Sequence, residues 1–93
     1  MTENIAKRMC ENYLETVSNE FACRINGLTG IALVNTEYHE VYYHESWASL
    51  FRNYVLGEIL DDFDSLGEDD VKEYLGEELY KIFIEDYVEE IPF

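Results

Sequence analysis

The chain has 93 residues, enough for one domain with a single core, which a 47% hydrophobic fraction with eight Tyr, five Phe and one Trp can fill. Its formal charge of −15, from 21 acids and six bases, disfavours contact with DNA, RNA or an anionic membrane and favours a basic protein partner. One Pro and five Gly leave no room for a long linker or a low-complexity segment, and no internal repeat is visible.

Taken in order, the chain begins with a helix. Thr2 is a cap, Glu3 sits where the helix dipole favours an acid, and Ile5, Met9, Tyr13, Leu14 and Val17 form an apolar stripe. Glu3, Lys7, Glu11 and Glu15 fall on or beside the opposite face, and the pattern predicts helix to Ser18 or Asn19. The same N-terminal stretch holds no uninterrupted apolar run, so no secretory signal is expected. The longest apolar run, residues 30–34, is too short to span a bilayer. A cytoplasmic protein with reduced thiols is the expectation, with Cys10 and Cys23 as small core residues.

Phe21, Cys23 and Ile25 alternate with Ala22 and Arg24, which suits a short strand ending at Asn26-Gly27. The alternative is an extended first helix with Gly27 as its C-cap; the strand is favoured. Residues 31–34 read as a β-branched-rich strand, residues 35–40 as a polar turn, and residues 41–44 as a returning strand. Ser46 caps a helix carrying Trp47, Leu50, Phe51, Tyr54, Val55 and Ile59, running to about Phe63 with Gly57 as a soft spot. After a turn at Leu66-Gly67, a helix starts near Glu68, Asp69 and Asp70, with Val71, Leu75 and Leu79 on its buried side. Gly76 is a point at which that helix can divide, its second part carrying Leu79, Ile82, Phe83 and Val88 until Pro92 ends it. The expected fold is α+β: an N-terminal helix, a small antiparallel sheet of two or three strands, then two or three acidic amphipathic helices.

No catalytic signature emerges. There is no Gly-rich phosphate loop, GxSxG or HExxH, and no carboxylate pair is singled out for a cleft, so no enzymatic activity is expected. Cys10, Cys23, His39 and His44 have the composition of a zinc site, but the cysteines lie too far apart for a knuckle. Residues 62–73 match a calcium loop at Asp62, Asp64, Gly67, Asp70 and Glu73. They fail at Leu66, which offers no side-chain oxygen, and at Asp69, where an apolar residue belongs. No metal or other cofactor is expected, and a calcium-responsive binding protein remains an alternative.

The acids themselves are the main signal. Residues 58–93 hold 14 of the 21 carboxylates and only Lys72 and Lys81, interleaved with enough apolar residues to fold. Acids at helical spacing stack about 5.4 Å apart on one face. The candidate partner contacts are Glu58, Asp61, Asp62, Asp64, Glu68, Asp69, Asp70, Glu73, Glu77, Glu85, Asp86, Glu89 and Glu90. Lys72 follows Glu68 and Lys81 follows Glu77 at the relieving spacing, and Tyr74, Tyr80 and Tyr87 are candidate aromatic anchors. Duplex DNA carries one charge per ~1.7 Å of axis, so a rigid carboxylate array can occupy the phosphate sites of a DNA-binding cleft.

In size, charge and acid-bearing helices the chain resembles the small acidic DNA-mimic inhibitors that phages and mobile elements use against restriction, CRISPR and other DNA-handling enzymes. These proteins share no motif, so the resemblance carries over no individual residue. It implies a basic nucleic-acid-binding protein as partner, blocked by occupancy in the host cytoplasm. An immunity protein or antitoxin against a basic nuclease is the rival in the same class, and a merely solvated acidic face is the plain alternative. The sequence leaves a homodimer open.

Overall fold

The computed structural model describes residues 2–24 and 30–87. Helix α1 spans Glu3–Leu14, strands β1 Glu20–Arg24, β2 Ile31–Asn35 and β3 Glu40–His44 follow, and α2 begins at Trp47–Leu50. A π-helical turn, Phe51–Val55, joins α2 to α3 (Leu56–Ser65), after which come α4 (Glu68–Leu75) and α5 (Glu77–Tyr87). This is the α+β arrangement expected, with three strands rather than two. The Asn26-Gly27 turn, Val88 and Pro92 lie outside the described residues.

The sheet is antiparallel in the order β1-β2-β3. Cross-strand pairs Glu20↔Asn35↔Glu40 and Ala22↔Leu33↔Tyr42 share the face turned toward the helices, because neighbours across a ladder point the same way. The core closes between that face and the helices: Met9, Cys10 and Tyr13 of α1 and Ile31 and Leu33 of β2 belong to one buried cluster. Leu50, Phe51, Val55, Ile59, Val71, Leu75, Leu79 and Phe83 complete it. No polar or charged residue among those described is buried.

Helix α1 stops at Leu14, four or five residues before the pattern suggests. The Thr16 and Val17 amides donate to the Tyr13 and Leu14 carbonyls, three residues back rather than four. The Thr16 hydroxyl also donates to the Tyr13 carbonyl at 2.7 Å, so that carbonyl has no need of the next helical amide. Val17 still packs against the core, which is why the apolar stripe runs past the helix. The long helix after Ser46 is not uniform either: the Leu56 amide donates to the Phe51 carbonyl, five residues back. Across that wider turn Phe51, Val55 and Ile59 are all fully buried.

Ser46 caps α2 through the Ser49 amide at 3.0 Å, and the two preceding amides are met from afar. The Glu3 carboxylate accepts from the Trp47 amide at 2.7 Å and the Ala48 amide at 2.9 Å. One acid therefore serves the positive ends of two helices, its own and α2. At the other end of the fold Gly76 has φ 87°, a conformation open to glycine, and divides α4 from α5 as the sequence suggests.

The sheet's main helix contacts are with α1 and α2, whereas α4 packs on α1 and α3, and α5 on α4. This separates two charge regimes. Residues 58–87 carry twelve acids and two lysines, while residues 20–44 carry Glu20, Glu37 and Glu40 against Arg24.

Candidate functional site

The acidic helices divide their carboxylates into two rows. Asp61 and Asp64 of α3, Asp69, Asp70 and Glu73 of α4, and Glu77, Glu85 and Asp86 of α5 are exposed. Val71, Leu75, Leu79 and Phe83 bury the opposite sides of α4 and α5, which fixes the acid-bearing sides outward. Glu89 and Glu90 lie outside the described residues.

Glu58 and Asp62 form the inner row, half-buried where α1, α3 and α4 meet. Asp62 accepts from the Tyr74 hydroxyl at 3.0 Å and Glu58 from the Tyr13 hydroxyl at 3.4 Å. The Tyr13 and Tyr74 rings meet edge-on with centroids 6.2 Å apart. Nearby, the Tyr54 hydroxyl donates to Glu20 at 2.8 and 2.9 Å to its two oxygens. Burial raises the pKa of all three phenols well above the ordinary value. Carboxylate charge adds to it, from Glu58, Asp62 and Glu20 at Tyr13, from Asp62 at Tyr74 and from Glu20 at Tyr54. Each phenol stays an O–H donor at neutral pH and holds its carboxylate in place. At the outer rim the Tyr80 hydroxyl does the same for Glu68 at 3.5 Å.

Cations relieve few of these acids. Lys72 lies 4.0 Å from Glu77 rather than pairing with Glu68 at the helical spacing, and Arg8 of α1 reaches Glu78 at 3.1 Å. Both pairs are largely solvent-exposed and contribute little to stability.

Tyr74, Tyr80 and Tyr87 pack against the core and are not free anchors; their rings fill the seam between apolar and acidic sides. The exposed aromatics are on the sheet instead: Phe21, Tyr38, Tyr42 and Tyr43 are each about half exposed or more. Phe21, Val41 and Tyr43 share its outer face with Cys23. Cys23 is therefore exposed, contrary to its expected place in the core, because it sits on the outer face of the sheet, opposite the side that carries Leu33.

Residues 62–73, the candidate calcium loop, are mostly helical. Helix α3 runs through Ser65 and α4 starts at Glu68, so only Leu66 and Gly67 lie between helices. A calcium loop needs open backbone at its turn and at the carbonyl ligand that follows it, and here Asp62, its first position, is turned to Tyr74. The zinc composition is equally dispersed. Cys10 is buried against the Trp47 carbonyl, Cys23 lies on the outer sheet face, His39 is in the hairpin turn and His44 ends β3. Among the described residues no group of three or more His, Cys, Asp or Glu is placed to hold a metal ion. Burial, followed by the charges of Glu3 and Glu11, pushes the Cys10 thiol up to about 12.

One feature escapes the sequence reading altogether: a cleft beside β3, bounded by Tyr38, Tyr42, Tyr54, Glu20 and Glu40. Its residues come from four separate stretches, and the only hint in the sequence is that Tyr outnumbers Phe. Comparison with protein-family models, curated proteins and solved structures finds no match to this chain. No helix among the described residues is long and apolar enough to cross a membrane.

Proposed function

We propose that the chain is an interaction protein that binds a basic nucleic-acid-binding protein and inhibits it by occupying the site for DNA. The observation that carries this reading is the anchored acid array on α3, α4 and α5. Its exposed carboxylates sit on helices whose other sides are buried, and Tyr13 and Tyr74 tie down the row beneath them. Fixed charges arranged before contact lose little freedom on binding, unlike those of a disordered acidic tail. Electrostatic steering toward a basic cleft follows from the same charge. The fold has no catalytic role in this reading; it is a stoichiometric blocker, in keeping with the resemblance to DNA-mimic inhibitors.

The test begins with capture on the immobilised chain from host lysate in low salt, repeated in high salt. Proteins retained only in low salt are purified and loaded with fluorescent duplex DNA, and the chain is titrated in. Release of DNA at about one chain per site, with affinity falling steeply as salt rises, is the expected result. A retained protein that holds DNA and this chain at once sinks the inhibitor reading. Recovery of a nuclease whose cleavage is blocked without DNA displacement favours the immunity-protein rival.

A further inference from the structure

The cleft beside β3 is a site of a different kind from the acidic helices. It encloses about 470 Å³, within the ~300–1,000 Å³ typical of ligand sites. It exists because the helices do not reach the end of the sheet: β3 is an edge strand among the described residues, and Glu40 and Tyr42 on its helix-facing side are exposed. Register sets its floor. Glu20, Asn35 and Glu40 are direct neighbours across three strands, which spaces the two acids about 10 Å apart. Tyr42 stands one step along β3 from the Glu40–Asn35–Glu20 row, and Tyr54 of the π turn forms the facing wall.

Its parts are held in position. Tyr54 donates to both oxygens of Glu20 and so orients that acid, and at the exposed rim Tyr42 donates to Glu40. The Asn35 side chain accepts from the Glu37 and Tyr38 amides, both at 3.0 Å, and His39 follows with φ 55°; this pins the turn that carries Tyr38. No lysine or arginine is among the residues lining the cleft. Burial lowers the pKa of His44 below the ordinary value, which disfavours its cationic form.

Two carboxylates with three tyrosine rings and no lysine or arginine make a pocket selective for an organic cation. Of such cations the guanidinium fits best, since its planar fork can lie on a ring face while bonding a carboxylate at its edge. The cleft is lined by residues of β3, the last strand of the sheet among the described residues, whose outer edge offers backbone groups to an extended peptide. We propose that this cleft binds an arginine side chain presented by another polypeptide, clamped between Glu20 and Glu40 with Tyr38, Tyr42 and Tyr54 around it. The inference does not depend on the acidic helices, whose residues take no part in the cleft.

The test is a titration of the isotope-labelled chain with the capped peptide Gly-Arg-Gly, followed by NMR. Its counterpart containing citrulline, the neutral isostere of arginine, and methylguanidine are run beside it. The arginine peptide is expected to shift the resonances of Tyr38, Tyr42, His44 and Tyr54 and to saturate. The citrulline peptide should bind at least about 10-fold more weakly, since it loses the charge. Tyr42→Ala and Glu40→Gln change exposed side chains, so the fold should survive, and each should weaken binding by roughly 5- to 10-fold. Glu73→Gln, on the far acidic helix, should leave it unchanged. Equal binding of the citrulline peptide, or shifts confined to α3, α4 and α5, overturns the proposal. Methylguanidine binding as tightly as the peptide overturns its polypeptide part. Because the probes carry no DNA-binding protein, this result is read separately from the fate of the inhibitor reading.

Discussion

If the acid array is kept for a partner, it should cost the free protein stability, and Glu73 is where that cost can be measured. Glu73 lies in the last turn of α4, one helical step from both Asp69 and Asp70. Carboxylates at that spacing are about 6 Å apart, which gives about 0.7 kcal/mol of repulsion in water and about half of that with physiological screening. Two such neighbours, plus an acid at the negative end of the helix, amount to about 0.5–1 kcal/mol. Gln has nearly the helix propensity of Glu, so Glu73→Gln isolates the charge. The variant should melt about 2–8 °C higher by calorimetry or circular dichroism in low salt, and the gain should shrink in 1 M salt. The same variant should bind the captured partner more weakly. A lower melting temperature, or a gain indifferent to salt, refutes the claim that these acids strain the fold.

Other consequences follow from the long-range contacts. Glu3→Ala removes two charge-assisted bonds to the start of α2 and should cost about 2 kcal/mol, with Glu3→Gln about half of that, both read by chemical denaturation; no loss in either variant rules out the shared cap. Alkaline pH should unfold the protein. Phenols ionise near 10 when unfolded, and Tyr13, Tyr54, Tyr74, Tyr80 and Tyr87 ionise higher when folded. Their contribution to stability is therefore complete below about pH 10 and drains away as pH rises beyond it, so tyrosinate absorbance should appear together with loss of helix signal. Of the two thiols, Cys23 should react with an aromatic disulfide reagent in the native state and Cys10 only on unfolding; fast labelling of both would mean that α1 opens readily.

What the sequence makes legible here is local. The caps at Thr2 and Ser46, the alternation in β1, the acids opening α4 and the break at Gly76 each depend on residues within a few positions of one another, and each appears where expected. The early end of α1 turns on a single hydroxyl at Thr16, which competes with the helix against a continuing apolar stripe. The π turn at Phe51–Val55 leaves the apolar spacing nearly intact and so gives no warning. What periodicity cannot supply are the partnerships across the fold: Glu3 with α2, Tyr13 with Glu58, Tyr74 with Asp62, Tyr54 with Glu20. These decide which acids are structural and which are free, and they explain the preference for Tyr over Phe at the seams of the core.

The uneven placement of charge between helices and sheet has a mechanical consequence. A body whose charge is off-centre feels a torque as well as a pull in an external field. Near any positively charged surface this molecule would turn before it touches, leading with α4 and α5 and trailing the sheet. Part of the rotational search that slows most encounters would thus be completed in solution. The tyrosine-lined cleft, on the trailing side, would meet its ligand only from another direction.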